Sequence, residues 1–371
     1  MNIFALGNLL NGFSGLTWQR LVMIAIGGIF IWLAIKYEYE PLLLLPIGLG
    51  CILANIPASG MLDEGGLLKV LYDAGIENEL FPSVVFIGIG AMTDFGPLLE
   101  NPMYVLFGAA AQFGIFGTLL LATLMGFNIK EAASIGIIGA ADGPTSIFVS
   151  SKLAPNLLGP ITVAAYSYMS LVPIIQPPVM RLLTTRRERL IKMPYTSHPV
   201  SKTTRILFPI VVTLTCGLIA PKSLPLIGML MFGNLAREAG VVERINQAAQ
   251  NELTNIVTTF LGITIGSTMV AEKFLRPQTL FILVMGLIAF ILDTAAGVLF
   301  GKLVCFLSGH KINPLLGGCG ISAFPMSARV VQKLGHDEDY TNFLLMHAMA
   351  SNTSGQIASV MAGGIVLALL S

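Results

Sequence analysis

The sequence predicts an all-α polytopic membrane protein, with about ten to eleven membrane segments in two inverted repeats and with broken, re-entrant helices. Three observations predict it. Of the 371 residues, 54% are hydrophobic and only 11% charged, more apolar sequence than a soluble core uses and too few charges to cover it. Gly-Pro and Asn-Pro interruptions fall inside apolar segments, where they break helices by freeing φ and removing a donor. Finally, matching stretches recur at an offset near 180 residues, as Pro46-Ile-Gly and Pro225-Leu-Ile-Gly show.

Composition also excludes classes. A net charge of +1 gives no general attraction to nucleic acid. Cys51, Cys216, Cys305 and Cys319 form no C-x-x-C pair, and His198, His310, His336 and His347 have no metal spacing. No basic n-region or A-x-A site marks a signal peptide. Residues 1–20 read as an interfacial segment, with Phe4, Leu9, Phe13 and Trp18 among Asn and Gly.

The first membrane repeat spans residues 21–183. Leu21–Ile35 is an apolar span closed by Lys36-Tyr-Glu-Tyr-Glu40, a polar aromatic end suited to a water interface. Pro41–Ile56 is a second apolar run, and 58–80 reads as a polar loop. Pro82–Met92 is short for a bilayer crossing. It ends at Thr93-Asp-Phe-Gly-Pro97, where Asp94 reads as a helix cap. Met103–Phe127 is a full span, and Leu157–Arg181 follows the broken segment 132–151. Residues 184–204 form a basic linker with Arg186, Arg187, Arg189, Lys192 and Lys202, cytoplasmic by the positive-inside rule. Residues 205–371 form the second repeat, with a long span over Thr279–Leu307 and a last segment from Asn342 to Ser371.

The central stretch is Gly136-Ile-Ile-Gly-Ala-Ala-Asp-Gly-Pro-Thr-Ser146. Asp142, followed by Gly143 and Pro144, predicts two half-helices meeting at a polar break at mid-depth. Freed carbonyls, the Thr145 and Ser146 hydroxyls and a carboxylate then converge, which is how transporters build cation sites. A carboxylate inside a membrane is a functional residue by default because it is costly to keep there. The counterpart break is Asn313-Pro-Leu-Leu-Gly-Gly-Cys-Gly320 followed by Ser322-Ala-Phe-Pro-Met-Ser-Ala-Arg329. Pro144…Lys152 corresponds to Pro325…Lys333, and both lysines mark a return to water.

Polar groups therefore gather in two zones. One holds Asp142, Thr145, Ser146, Tyr166 and Tyr168, and the other Asn313, Ser322, Arg329 and Asn352. All but Arg329 offer oxygen, which hard cations need. One carboxylate among neutral oxygens suits a monovalent cation. The residues alone thus point to a Na⁺ or H⁺ transporter. Tyr166 reads as packing, and Asp293 as a carboxyl paired with a neighbouring polar group.

Gly139-Ala-Ala-Asp-Gly-Pro-Thr145, Ala91-Met-Thr-Asp-Phe-Gly-Pro97, Asn313-Pro-Leu-Leu-Gly317, Ser322-Ala-Phe-Pro-Met-Ser-Ala-Arg329 and Asn342-Phe-Leu-Leu-Met-His-Ala-Met349 resemble the β subunit of the sodium-pumping biotin-dependent decarboxylases. The resemblance runs from about residue 20 onward. It implies decarboxylation of carboxybiotin carried by a partner subunit, coupled to outward Na⁺ transport with consumption of a proton. It implies Na⁺ and a biotin held elsewhere than on this chain. The implied partners are a carboxyltransferase α subunit, a biotin carrier and a small single-span subunit. The implied setting is the bacterial inner membrane, with several copies of this chain in the complex.

Carried over singly, the family's Na⁺-binding aspartate falls on Asp142, with Asn313, Asn352 and Ser322 as further ligands. Its tyrosine falls on Tyr168, its second-break glycine on Gly317, and its serine and arginine on Ser322 and Arg329. Tyr168, Ser322 and Arg329 are expected to serve the chemistry, and Arg329, Ser322 and Gly317 to meet the biotin. A Tyr hydroxyl can protonate the released ureido nitrogen, and an Arg fork can hold a carboxylate. The lack of a long insertion points to an acyl-CoA system over oxaloacetate. The alternative is an ion-coupled secondary carboxylate transporter without decarboxylase chemistry, which would work independently of biotin.

Overall fold

The computed structural model describes residues 15–38, 40–195 and 199–370. Most of the expected interfacial segment, residues 1–14, lies outside the described residues, as does His198. All regular structure among them is helical. Five helices are long and apolar enough to cross a bilayer: Trp18–Tyr37, Pro102–Leu124, Lys202–Ile219, Pro277–Leu307 and Leu345–Leu370. The pair Pro155–Ser170 and Val172–Leu183, bent by 70° at its break, makes a sixth if taken as one span. Pro41–Ala54 and Leu80–Met92 are shorter apolar helices. Length and apolarity thus mark fewer crossings than the ten to eleven expected.

The principal helices are α1 (Trp18–Tyr37), α2 (Pro41–Ala54), α3 (Leu80–Met92), α4 (Val105–Ala111), α5 (Phe113–Leu124), α6 (Ile129–Gly136), α7 (Gly143–Leu153), α8 (Leu158–Ser170) and α9 (Val172–Leu183). After the linker come α10 (Lys202–Ile219), α11 (Leu224–Ala239), α12 (Thr254–Ser267), α13 (Pro277–Leu307), α14 (Met326–Glu338) and α15 (Leu345–Leu370). Start signals are visible at several. Thr17 caps α1 by accepting from Arg20 N. Asn128 and Glu131 form a capping box on α6, and Ser201 caps α10. Each satisfies N–H groups that the first turn cannot pair internally. The stretch 58–80, read as a loop, contains the helix Leu67–Tyr72 running into a π-helical turn at Asp73–Glu77.

The order of elements recurs along the chain. That first π-turn has a counterpart at Ala249–Leu253, again just before the third principal helix of its half. The break after α6 has its counterpart between α13 and α14. Contacts are reciprocal too: α2 packs on α12 and α11 on α3, while α7 packs on α15 and α14 on α9. Asn55, at the end of α2, donates to the Met269 carbonyl (2.8 Å), and Asn234 of α11 donates to the Thr93 carbonyl (3.1 Å).

The α3–α11 crossing depends on two glycines. A methyl on Gly90 would lie 1.8 Å from the Leu230 carbonyl oxygen, and one on Gly233 1.9 Å from that of Ile87. Both clashes are with backbone, so the helices would have to separate. Gly90→Ala is expected to cost about 1–3 kcal/mol, the usual range for overpacking. The check is thermal unfolding in detergent, and an unshifted midpoint would show that the crossing yields freely.

The basic linker pairs with the end of α14. Glu338 accepts from Arg189 (2.7 Å) and Arg186 (3.2 Å), Lys192 pairs with Asp339 (2.8 Å), and Arg181 pairs with Asp337 (2.9 Å). Arg189 holds the Glu338 carboxyl below the ordinary glutamate range, and Lys192 does the same for Asp339. A depressed folded pKa stabilises fully above the unfolded value and is lost as pH falls through the folded one. Docking of residues 186–195 should therefore hold at neutral pH and loosen below about pH 4. Amide exchange in the linker checks this: protection should drop on acidification and, at pH 7, in Glu338→Gln.

Candidate functional site

The first break forms as its sequence predicts. A 3₁₀ turn, Ile137–Ala140, ends at Ala141 with φ 53°, and Asp142 is extended and caps α7. Gly143 and Pro144 open the new helix, where proline costs no hydrogen bond. Asp142 is 4% exposed. Oδ1 accepts from Thr145 N (3.1 Å), and Oδ2 accepts from the Ser359 hydroxyl (2.6 Å) and the Ser322 hydroxyl (3.2 Å).

The two breaks touch. Ser322 N donates to the Ala140 carbonyl (2.9 Å), so the second break is pinned to the first beside Asp142. Helix α15 supports both. Asn352 donates to the Cys319 carbonyl (3.2 Å) and the Ile321 carbonyl (2.7 Å), and Gln356 donates to the Ser322 carbonyl. Asn352, Gln356 and Ser359 are spaced i, i+4, i+7, one face of a helix. On the opposite flank Gln176 of α9 donates to the Gly318 carbonyl (3.0 Å) and accepts from the Ser327 hydroxyl (2.8 Å).

A cavity of about 430 Å³ ends on this crossing. Its polar lining is Asp142, Tyr166, Thr258, Ser322, Gln356 and Glu40, set among Leu43, Val85, Ile89, Met169 and Pro325. Such an apolar cavity with a few convergent polar groups is the usual form of a small-molecule site.

The expected site residues separate into groups. Asp142 and Ser322 are in contact, and Asn352 is one residue removed through Ile321. Buried oxygens are available for a cation: Asn352 Oδ1 and Thr145 Oγ1 have no partner among the described residues. A Na⁺ ion as cargo fits this donor set of one carboxylate and neutral oxygens. Asn313 is placed elsewhere. Its Nδ2 donates to the Arg189 and Ile191 carbonyls (3.0 Å each) and its Oδ1 accepts from Leu315 N, so it anchors the linker. Gly317 is a packing residue, for a methyl there would lie 1.9 Å from the Gly297 carbonyl oxygen of α13. Tyr168 turns away, and its hydroxyl donates to the Leu283 carbonyl of α13. Tyr166 faces the cavity instead, its ring so close to Gly143 that a methyl there would sit 2.1 Å from Cζ. Arg329 is exposed. It follows Pro325 and Met326, which line the cavity, by one helical turn on the same face.

Three residues escaped the sequence reading as site members: Ser359, Gln356 and Tyr166. The polar stripe of α15 was the available signal for the first two. For the tyrosines, two residues apart on one helix, nothing local decides which faces the carboxylate. Asp94 accepts from Gly96 N (2.9 Å) in a turn one residue before Phe95, the N-cap of the helix Gly96–Glu100, and also meets Arg205 and Arg237. Lys152 and Lys333 are exposed, as expected.

A buried carboxylate at the junction of two helix breaks, inside a bundle of apolar helices, defines an integral membrane protein of the cation-transporting class. The chain belongs to the family of Na⁺-transporting oxaloacetate decarboxylase beta subunits, whose pattern matches residues 19–370. It is 53% identical to the glutaconyl-CoA decarboxylase subunit beta of Acidaminococcus fermentans, covering 97% of this chain and 96% of the relative. It is 53% identical to the methylmalonyl-CoA decarboxylase subunit beta of Veillonella parvula, with 97% and 96% covered. It is 48% identical to the oxaloacetate decarboxylase beta chain of Klebsiella pneumoniae, with 94% of each covered. Its coarse function is therefore decarboxylation-coupled Na⁺ pumping as one subunit of a larger complex, and the free-standing carrier reading is not favoured.

Proposed function

We propose that this chain decarboxylates carboxybiotin presented by a partner subunit and uses the reaction to move Na⁺ outward. The observation that carries the reading is the cavity that ends on Asp142, at the joint of the two breaks. Its volume and apolar walls suit the biotin rings, and its polar end holds the groups the chemistry needs. In the reaction the bond between the ureido nitrogen and the carboxyl carbon breaks. CO₂ leaves, the electron pair stays on nitrogen, and one proton is taken up there.

Residue roles follow from position. Asp142, Ser322 and Asn352 hold the Na⁺, with Thr145 adding a hydroxyl. Tyr166, beside Asp142 in the cavity wall, supplies the proton in this reading, and Tyr168 positions α8 on α13. Arg329, exposed one turn beyond the cavity-lining Pro325 and Met326, receives the carboxylate of the substrate in this reading. Asn313 and Gly317 act through the backbone of the second break rather than as ligands.

The recurring order of elements and the reciprocal contacts favour two inverted repeats, 21–183 and 205–371, around a basic cytoplasmic linker at 184–204. On this reading the shorter helices α2, α3, α11 and α12 also cross the bilayer, giving about ten crossings. Na⁺ and carboxybiotin would then bias two access states, each binding one state more tightly. The partners proposed are a carboxyltransferase α subunit, a biotin carrier and a single-span subunit, in the bacterial inner membrane and with more than one copy of this chain. Alignment with the relatives named for glutaconyl-CoA and methylmalonyl-CoA spans 360 to 383 positions, against 409 for the oxaloacetate relative. That absence of a long insertion favours an acyl-CoA system.

The test is decarboxylation of free carboxybiotin by the purified chain, titrated with Na⁺. Turnover that rises and saturates with Na⁺ supports the proposal. No release of CO₂, together with carboxylate uptake in vesicles that persists in the presence of avidin, would return the chain to the carriers.

A further inference from the structure

Helix α13 carries a second carboxyl group in the bundle, Asp293, for which the proposed reaction has no role. It is 0% exposed, and neither oxygen has a hydrogen-bond partner among the described residues. The expected pairing with a neighbouring polar group is thus not formed. Two glycines lie against it. A methyl built on Gly114 of α5 would lie 1.9 Å from Oδ1, and one on Gly139 of the first break 2.5 Å from Oδ2. The Ile115 N–H is the backbone donor that faces it, short of hydrogen-bond geometry. The groups α5 and the break turn toward it, Gly114, Ile115 and Gly139, carry neither charge nor a titratable side chain. Asp142 is the nearest acidic residue along the break, three positions past Gly139.

The repeat sharpens the point. Gln112 and Asp293 are 181 positions apart, as are Gly139 and Gly320. Gln112 meets the second break as Asp293 meets the first, donating to the Gly320 carbonyl (3.3 Å) and the Gly108 carbonyl (3.2 Å). One break is thus braced by a neutral amide, the other by a shorter side chain that can gain or lose a proton. A carboxylate with neither counter-charge nor hydrogen bond among the described residues is too costly in such a place.

We propose that Asp293 is a proton-binding site, protonated in this conformation, which brings a proton to the back of the first break. That the proton is the one consumed at the ureido nitrogen rests on the function proposed above; that Asp293 holds a proton does not. Two measurements separate these claims. The first is infrared spectroscopy of the purified chain at neutral pH. Asp142 and Asp293 are the buried acids among the described residues. A protonated-acid C=O band is expected in wild type, unchanged by Na⁺, retained in Asp142→Asn and absent from Asp293→Asn. Absence of that band from both wild type and Asp142→Asn, or its loss on adding Na⁺, would overturn the site. Asp142→Asn keeps the test open should Asp293→Asn fail to fold.

The second measurement is the pH profile of Na⁺-stimulated turnover. Asp293→Asn, isosteric with the neutral acid, is expected to lower turnover at least tenfold and flatten its pH dependence, with Na⁺ affinity unchanged. An unchanged profile in a folded variant would reduce Asp293 to a neutral brace and overturn the relay.

Discussion

Asp142→Asn is expected to remove Na⁺ stimulation of carboxybiotin decarboxylation while leaving the fold intact. The amide keeps the shape of the helix cap and can still accept from Thr145 N, but it has lost the charge that balances the cation. It also presents an NH₂ where Oδ2 now accepts from two hydroxyls, Ser322 and Ser359. A loss of about 100-fold or more in Na⁺-dependent kcat/KM corresponds to about 2.7 kcal/mol. That is within reach of one charge-assisted contact together with a reversed hydrogen-bond pattern. Ser359→Ala is the milder companion. It removes one donor at 2.6 Å and should weaken Na⁺ dependence about tenfold, a hydrogen bond to a charged group contributing about 1.5–3 kcal/mol. The readout is the Na⁺ titration of turnover, with thermal unfolding as the check on folding. If both variants titrate like wild type, the cation binds elsewhere.

The second large effect separates the two tyrosines. Tyr166→Phe should lower turnover by about 10²-fold or more, the usual worth of a positioned proton donor, with little change in the Na⁺ concentration that half-saturates. Its hydroxyl lies on the cavity side beside Asp142. Tyr168→Phe should lose the hydrogen bond to the Leu283 carbonyl, a matter of about 1 kcal/mol in stability, and act on rate only through the seating of α8 on α13. Rates of both variants with free carboxybiotin, and their unfolding midpoints, decide the question. The opposite ranking would make Tyr168 the donor and require α8 to turn in the catalytic state.

Much of this was legible in the sequence because of where polar residues are costly. An apolar chain cannot hide Asp142 beside Gly143-Pro144 without a break, so the half-helices and the carboxylate between them could be placed before any coordinates. Ser322 was within reach for the same reason, since the second break repeats the first. Membrane character and family membership rest on composition and on long motifs, and both hold. The crossings were harder to count, because α2 and α3 are shorter than a bilayer is thick. Their packing against α12 and α11, and not their length, is what argues that they belong inside it.

By itself, then, the sequence determined that this is a helical membrane protein with two interrupted segments and a carboxylate at the first of them. Those features follow from local chemistry: apolar runs, helix breakers and the cost of charge in lipid. Only the tertiary structure decided which groups meet at Asp142. Ser359 lies 217 positions away in sequence, and no local pattern can aim it. Packing also turned Tyr166 into the cavity and Tyr168 against α13, took Asn313 to the linker, and left Asp293 facing Gly114 and Gly139 with no hydrogen-bond partner among the described residues. Helical periodicity defines the faces of a helix, but contacts between distant segments choose the neighbour each face receives.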